Sequence, residues 1–447
     1  MSGITSFFSS FYHARVHLLH RQTWKNRAIF IVGALIVGAI SVVFAYAADW
    51  IQEQFDHVAS FSTLPTLIIT PLGLALSAYL TRRWFKGAQG SGIPQTIAAL
   101  STNDAGLRQQ VLSLRIAFGK FFLTLIGIAS GASIAREGPT VQIGASIMDA
   151  LGRRFNVRDR SLTRALISAG SAAGIAAAFN TPLAGIVFVI EELNRSFEQK
   201  TSSMVFMSVI MAGMVAIGLQ GNYNYFGSAA VTSIGGFWVG SKMVLFCGLA
   251  GGLAGGLFCW LVLRSAGRLP GAVGRLASER PVVFAAACGL VLSVLGIASQ
   301  GATFGTGYHY ARDVLAGNDV PFSFMWAKLL ATWVSFVSGV PGGIFAPSLA
   351  VGAGLGGNLT AFFDPSVATA VVVLGMVGYF AGVTQAPLTT VVIVMEMINN
   401  QNLVLPMLLV ALIAKGVAVI FNRKPIYHAL AEKFLERWQE THPNHKE

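Results

Sequence analysis

The stretch Ser133-Ile134-Ala135-Arg136-Glu137-Gly138-Pro139 sets an adjacent cation and anion between two long, nearly uncharged segments. Even on lenient insertion scales each such group costs roughly 2.5–3.5 kcal/mol at mid-membrane. A chain that keeps the pair there has a use for it. The second half carries a counterpart, Gly342-Gly343-Ile344-Phe345-Ala346-Pro347, with the same small-residue approach into a Pro-led apolar helix. Proline suits the first helical turn, where its missing N–H is one the helix leaves unbonded anyway. The free N–H groups beside it and the helix dipole favour an anion. The two stretches together predict helix N-termini meeting near mid-membrane around an anion.

The bulk composition places those stretches in lipid. Of the 447 residues 54% are hydrophobic and 11% charged, with a mean hydropathy of +0.64. That is about half the charge a soluble domain carries. Apolar tracts recur from Ala28 to Phe421, so the chain is expected to be an all-α, multi-pass membrane protein. The net charge of +12 does not point to nucleic acid. Its Lys and Arg gather in Arg15 to Arg27, in Arg153, Arg154, Arg158, Arg160 and Arg164, and from Arg423 onward, flanking apolar spans. By the positive-inside rule these are cytoplasmic, and with them both termini. Asp49 to Ser62, with no Lys or Arg, suits the opposite side. Cys247, Cys259 and Cys288 lie in apolar tracts without metal-like spacing, so neither a metal, a cofactor nor a disulfide framework is expected. No cleavable signal peptide is expected either.

Clear spans lie at about 28–48, 63–80, 111–130, 161–179, 203–219, 243–263, 282–299 and 402–421. Shorter apolar pieces, at 91–100, 138–151, 182–192, 345–361 and 387–397, are mostly too short to cross about 30 Å of hydrocarbon. They are expected to be tilted, re-entrant or broken, which is tolerated where backbone is buried in protein or lines a cavity. A repeat runs through them. Asn180-Thr181-Pro182-Leu183 leads to Glu191, and Gln385-Ala386-Pro387-Leu388 leads to Glu396 at the same spacing. Pro139 and Pro347 are 208 residues apart, Pro182 and Pro387 205. Two related halves with broken helices are a transporter signature. The expected organisation is a cytoplasmic segment 1–27, a first half 28–219, a linker 220–240, a second half 241–421, and a terminal helix and tail 422–447.

Four segments share one grammar, a Gly-rich or basic approach followed by Pro: Gly90-Ser91-Gly92-Ile93-Pro94, Arg136-Glu137-Gly138-Pro139, Gly343-Ile344-Phe345-Ala346-Pro347 and Arg423-Lys424-Pro425-Ile426-Tyr427. In type, order and spacing these elements closely resemble the CLC family of chloride channels and chloride/proton exchangers, over nearly the whole chain. The resemblance implies two inverted halves and a homodimer in which each subunit holds its own pathway. It also implies roles for residues. Ser91 and Tyr427 match the hydroxyl donors to a central chloride, with the backbone N–H groups of Ile344 and Phe345 completing the site. Arg136 and Gly138 flank the gating acid and belong to the same anion-binding stretch. Glu137 matches the gating glutamate, whose carboxylate takes an anion position and leaves it on protonation. Glu192 falls where the exchangers carry an internal proton-transfer glutamate, and its repeat counterpart is Met397. Glu191 is expected to help admit water to Glu192, Glu396 to be structural, and Lys120 to add positive potential near Glu137.

Some residues depart from the family pattern. Ala135 replaces a usual Gly, Gln95 a common acid, and Ile97 stands where some exchangers carry a further glutamate near the internal one. No regulatory nucleotide-binding pair is expected after the last span. The implied activity is chloride/proton exchange in an inner membrane. Its rivals are a passive chloride channel, a carrier of another anion such as nitrate, bromide or fluoride, and, from a different class, an intramembrane hydrolase. The hydrolase would need a base near Ser133, and no His-Glu-x-x-His is present.

Overall fold

A computed structural model of the chain describes residues 21–62, 64–193, 199–221, 223–227, 236–267 and 269–442. Most of the expected cytoplasmic segment 1–27, much of the linker 220–240 and the last five residues lie outside the described residues. The first half begins with α1 (Arg21–Phe61), α2 (Thr66–Trp84), α3 (Ile93–Ser101), α4 (Ala105–Val111) and α5 (Leu114–Ala129). It continues with α6 (Glu137–Arg154), α7 (Arg160–Phe179), α8 (Pro182–Phe188), a π-helical turn (Val189–Leu193) and α9 (Gln199–Gln220). The second half holds α10 (Phe237–Ala266), α11 (Gly271–Glu279), α12 (Pro281–Ala298), α13 (Tyr308–Leu315), α14 (Phe324–Val337), α15 (Phe345–Leu359), α16 (Ala368–Thr384), α17 (Pro387–Ile398) and α18 (Val404–Phe421). An amphipathic α19 (Ile426–Thr441) closes the chain. Among the described residues eight helices are long and apolar enough to cross a membrane.

Two span boundaries differ from expectation. The first helix does not stop near residue 48 but runs 41 residues to Phe61, carrying Asp49, Glu53 and Asp56 beyond the apolar tract. The helix Ala368–Thr384 is absent from the expected spans. Its most apolar window is 89% buried inside the protein, and Asp364-Pro365 interrupts the tract that leads into it. The expected short pieces form separate helices, each starting within two residues of its proline.

The halves meet at repeat-related atoms. Ala135 and Gly343, 208 residues apart, form an isolated antiparallel bridge. The Ala135 N–H donates to the Gly343 carbonyl at 2.8 Å, and the Gly343 N–H to the Ala135 carbonyl at 2.6 Å. Equivalent residues paired antiparallel place a pseudo-twofold axis between them, which is the mark of inverted halves. A second reciprocity lies at the other prolines. The Glu191 carboxylate accepts from the N–H groups of Leu388 (3.2 Å) and Thr389 (2.7 Å), at the start of α17. The Glu396 carboxylate accepts from those of Leu183 (3.2 Å) and Ala184 (2.7 Å), at the start of α8. Each half thus caps the broken helix of the other, using N–H groups that no helix satisfies internally.

Close packing follows the same symmetry. A Cβ on Gly144 would lie 2.1 Å from the Gly170 carbonyl oxygen, and one on Gly170 2.2 Å from that of Gly144, so α6 and α7 touch backbone to backbone. Gly352 and Gly375 bring α15 and α16 together in the same way. Such approach replaces the hydrophobic driving force that lipid does not supply.

Replacing Glu396 by Ala removes two charge-assisted acceptors, a loss of about 1.5–3 kcal/mol each at most. The thermal midpoint of the purified protein in detergent is therefore expected to fall well below that of Glu440→Ala, a change on the exposed end of α19. Glu191→Ala is expected to match it. Equal midpoints for all three variants would remove the reciprocal caps from the stability of the fold.

Candidate anion and proton site

Three chain breaks converge beside the Ala135–Gly343 bridge. The Gly342 N–H donates to the Gly90 carbonyl at 2.9 Å, which joins the turn before α3 to the breaks before α6 and α15. Lys120, fully buried on α5, donates to the carbonyls of Ala88 (2.8 Å) and Gly90 (2.6 Å). It therefore holds the Ser91 turn by its backbone. Gly92 adopts a left-handed conformation (φ 102°) as the residue before α3. Its N–H donates to Gln95 Oε1 at 3.1 Å, while Gln95 Nε2 donates to the Gln89 carbonyl. Gln95 thus does capping work at a position where an acid was the common expectation.

Among the buried polar atoms left over are those the sequence singled out. Ser91 Oγ and Tyr427 OH are buried with no hydrogen-bond partner in the protein, and so are both carboxylate oxygens of Glu137. Orphaned buried polar atoms are costly, and three in one region ask for a ligand. Gly138 makes room for the first, since a Cβ there would sit 2.3 Å from Ser91 Oγ. Ile344 precedes α15, so the N–H groups of Ile344 and Phe345 stand at a helix start and lack intrahelical partners. The Phe345 ring stacks on Tyr427 (centroids 5.9 Å, planes 16° apart) and packs edge-on against Phe380 at 4.7 Å. Aromatic rings hold the Tyr427 hydroxyl in place from below.

Arg136 is anchored to the first helix. Its guanidinium Nη1 donates to the Ala45 carbonyl at 2.8 Å and is ion-paired with Asp49 on α1. Nη1 is held in that clamp, while Nε is buried without a hydrogen-bond partner. Arg136 lines a pocket of about 320 Å³ together with Asp49, Glu53, Tyr223, Thr306 and His309. On the opposite side a cavity of about 800 Å³ leads to Ser91, lined by Arg82, Arg275, Lys433 and Arg437 among others, with no acidic residue among the described ones on its wall. Glu137 lies between the two, fully buried.

Glu192 sits in the π-helical turn and is 2% exposed. His428, next to Tyr427, places Nδ1 3.9 Å from Glu192 Oε2. Glu191 accepts from the α17 N–H groups through both oxygens. Sequence reading also missed Lys328, which donates to the carbonyls of Thr303 (3.0 Å), Phe304 (3.2 Å) and Gly305 (2.7 Å). It stands 208 residues after Lys120 and holds Gly305-Thr306-Gly307 as Lys120 holds Gly90-Ser91-Gly92, so the repeat offset was its signal. Ser133 Oγ shares a hydrogen bond with Thr332 Oγ1 at 2.9 Å, and the Ser133 N–H donates to Ser335 Oγ, which gives it hydroxyl neighbours rather than a base.

Paired broken helices, inverted halves and orphaned hydroxyls at a buried crossing point define a membrane anion transporter. The chain belongs to the voltage gated chloride channel family, whose pattern matches residues 73–419. It is 32% identical to an H(+)/Cl(-) exchange transporter ClcA of Citrobacter koseri, with 95% of this chain and 93% of the relative covered. The same identity holds for a ClcA of Yersinia pestis, with 93% and 90% covered. Among solved structures, a slow cyanobacterial Cl-/H+ antiporter superposes with a TM-score of 0.80 at 26% identity, covering 94% of this chain and 99% of that one. A CLC-type fluoride/proton antiporter shares the fold, with a TM-score of 0.77 at 21% identity and 90% and 97% covered.

Gly138→Ala is expected to push a methyl group into Ser91 Oγ. Chloride affinity, measured by calorimetric titration of the purified protein, should fall about 10-fold, or about 1.4 kcal/mol. Unchanged affinity would place the anion elsewhere than at Ser91.

Proposed function

We propose that the chain exchanges chloride for protons across a membrane. The single observation that carries this reading is Glu137. Its carboxyl is fully buried, unbonded through both oxygens, and set among helix N-termini beside the orphaned hydroxyls of Ser91 and Tyr427. A carboxylate there competes with chloride for the same N–H groups, and one proton ends the competition. In this reading Ser91, Tyr427 and the N–H groups of Ile344 and Phe345 hold the central chloride, Arg136 and Gly138 shape the outer approach, and Glu137 is the gate. Glu192 takes protons to and from the other side. The chain acts as a transporter, with no chemical step on its substrates and no cofactor.

The orientation we propose puts the Ser91 side in the cytoplasm. The basic wall of Arg82, Arg275, Lys433 and Arg437 faces that side, together with the Arg153 to Arg164 cluster and α19, in keeping with the positive-inside rule. Low-dielectric walls of one sign concentrate counter-ions, so this cavity gathers chloride before Ser91. Both termini are then cytoplasmic, the membrane is a bacterial inner membrane, and two copies form a homodimer with a pathway in each.

The exchange reading is tested with purified protein in liposomes. A chloride gradient is applied, valinomycin and potassium set the voltage, and external pH is followed. Proton movement against its own gradient, lost in Glu137→Ala while chloride still passes, is the expected result. Chloride flux with no proton movement in the native protein would make it a channel.

A further inference from the structure

Glu192 is almost wholly buried, yet on the proposed reading its proton comes from water. Something has to carry that proton across the last layer of protein. The described residues of this region narrow the choice. Ile97, buried on α3, is apolar and cannot carry a proton. Glu191 is bound to the start of α17 through both oxygens. Lys424 and Glu432, on the cytoplasmic side of α19, pair with each other at 2.6 Å. Tyr427 is fully buried, as is Glu137 beyond it, and both lie on the chloride side of Glu192. His428 differs from all of these. Its ring is 17% exposed, against 3% for the Glu192 side chain, and one nitrogen lies 3.9 Å from the carboxylate. It therefore reaches water at one edge and the acid at the other.

We infer that His428 relays protons between cytoplasmic water and Glu192, on the reading of Glu192 given above. Histidine suits the task because its ordinary proton affinity lies near neutrality and its two nitrogens bind and release protons independently. Inward transfer toward the site moves the proton from imidazolium Nδ1 to Glu192 Oε2, leaving a neutral ring and a carboxylic acid. The neutral ring keeps its other proton on Nε2, and a rotation about Cβ–Cγ turns the vacant Nδ1 to water, where it takes the next proton before turning back. The reverse order runs the exchanger the other way. A gap of 3.9 Å exceeds direct hydrogen-bond range, and one bridging water or a small side-chain rotation closes it. The position follows from the fold. The N-terminal turn of α19 buries Tyr427 against Phe345, and the next residue is thereby turned to the π-helical turn that carries Glu192.

The experiment measures protons and chloride together in liposomes holding His428→Ala, with Glu192→Gln and His442→Ala as controls. The number of protons moved per chloride is expected to fall on the order of 10-fold in His428→Ala, less than the full effect of a proton-transfer group because the ring opens on water. His442→Ala, at the far end of the same helix, should leave the ratio unchanged. Millimolar imidazole should restore coupling to His428→Ala, and His428→Glu should retain part of it. An unchanged ratio in His428→Ala, with coupling lost in Glu192→Gln, overturns the relay and leaves Glu192 standing. Coupling retained in Glu192→Gln overturns the reading of Glu192 itself. Loss in His428→Ala that neither imidazole nor His428→Glu repairs makes the ring a packing element and also overturns the relay.

Discussion

Two short backbone hydrogen bonds between Ala135 and Gly343 hold the molecule's two halves in register. Each is a neutral bond with a net worth near 1 kcal/mol in an ordinary setting. Deep in a membrane the alternative is an unsatisfied peptide group, which costs several kcal/mol. Neither break can therefore drift without leaving its own N–H and carbonyl unpaired. Because the partners are repeat equivalents, the pairing also fixes where the pseudo-twofold axis runs. The helices that start at Glu137 and Phe345 radiate from it. The Gly342 bond to Gly90 and the Lys120 bonds behind it then draw in the third break. Ser91 is where it is because backbone, not side chain, was anchored first.

Symmetry builds this frame, and its violations carry the chemistry. Glu137 and Phe345 are counterparts 208 residues apart, one the buried acid and the other the ring stacked on Tyr427. Glu192 faces Met397 across the repeat, and the Lys-held turn ends in buried Ser91 on one side but in Thr306, lining an open pocket, on the other. The two mouths differ as well. Among the described residues one wall is basic without acids, while the other mixes Arg136, Asp49, Glu53 and His309. A transporter has to treat its two sides differently, and here the difference lies in side chains on a shared backbone plan.

Much of this was legible in the sequence wherever the signal was local. The Pro-led breaks, the short helices and the 205–208 offset are visible because each depends on a few contiguous residues. What Glu191 and Glu396 do was not legible, since each one's partner is about two hundred residues away and is a bare N–H with no side-chain identity. The Arg136 clamp was hidden for the same reason. Its guanidinium answers to Asp49, which the extended first helix brings alongside only because that helix outruns its apolar tract. Ala368–Thr384 is an unbroken apolar run and was legible as a span, but it was passed over between the short pieces led by Pro347 and Pro387. His428 left no pattern at all. Its place is set by how α19 packs, which no spacing within α19 records.

The crossed carboxylate caps also bear on how the protein is made. Synthesis is directional, so α8 enters the membrane about two hundred residues before Glu396 exists to receive its N–H groups. Through that interval the first half holds a helix start with no acid to close it, and its own Glu191 has no helix to serve. Both debts are settled together when α17 arrives, for the residue that relieves one half sits nine positions past the proline of the other. A nascent first half is thus chemically unfinished rather than merely smaller, and a ribosome stalled between the halves would leave a product marked by its exposed peptide groups.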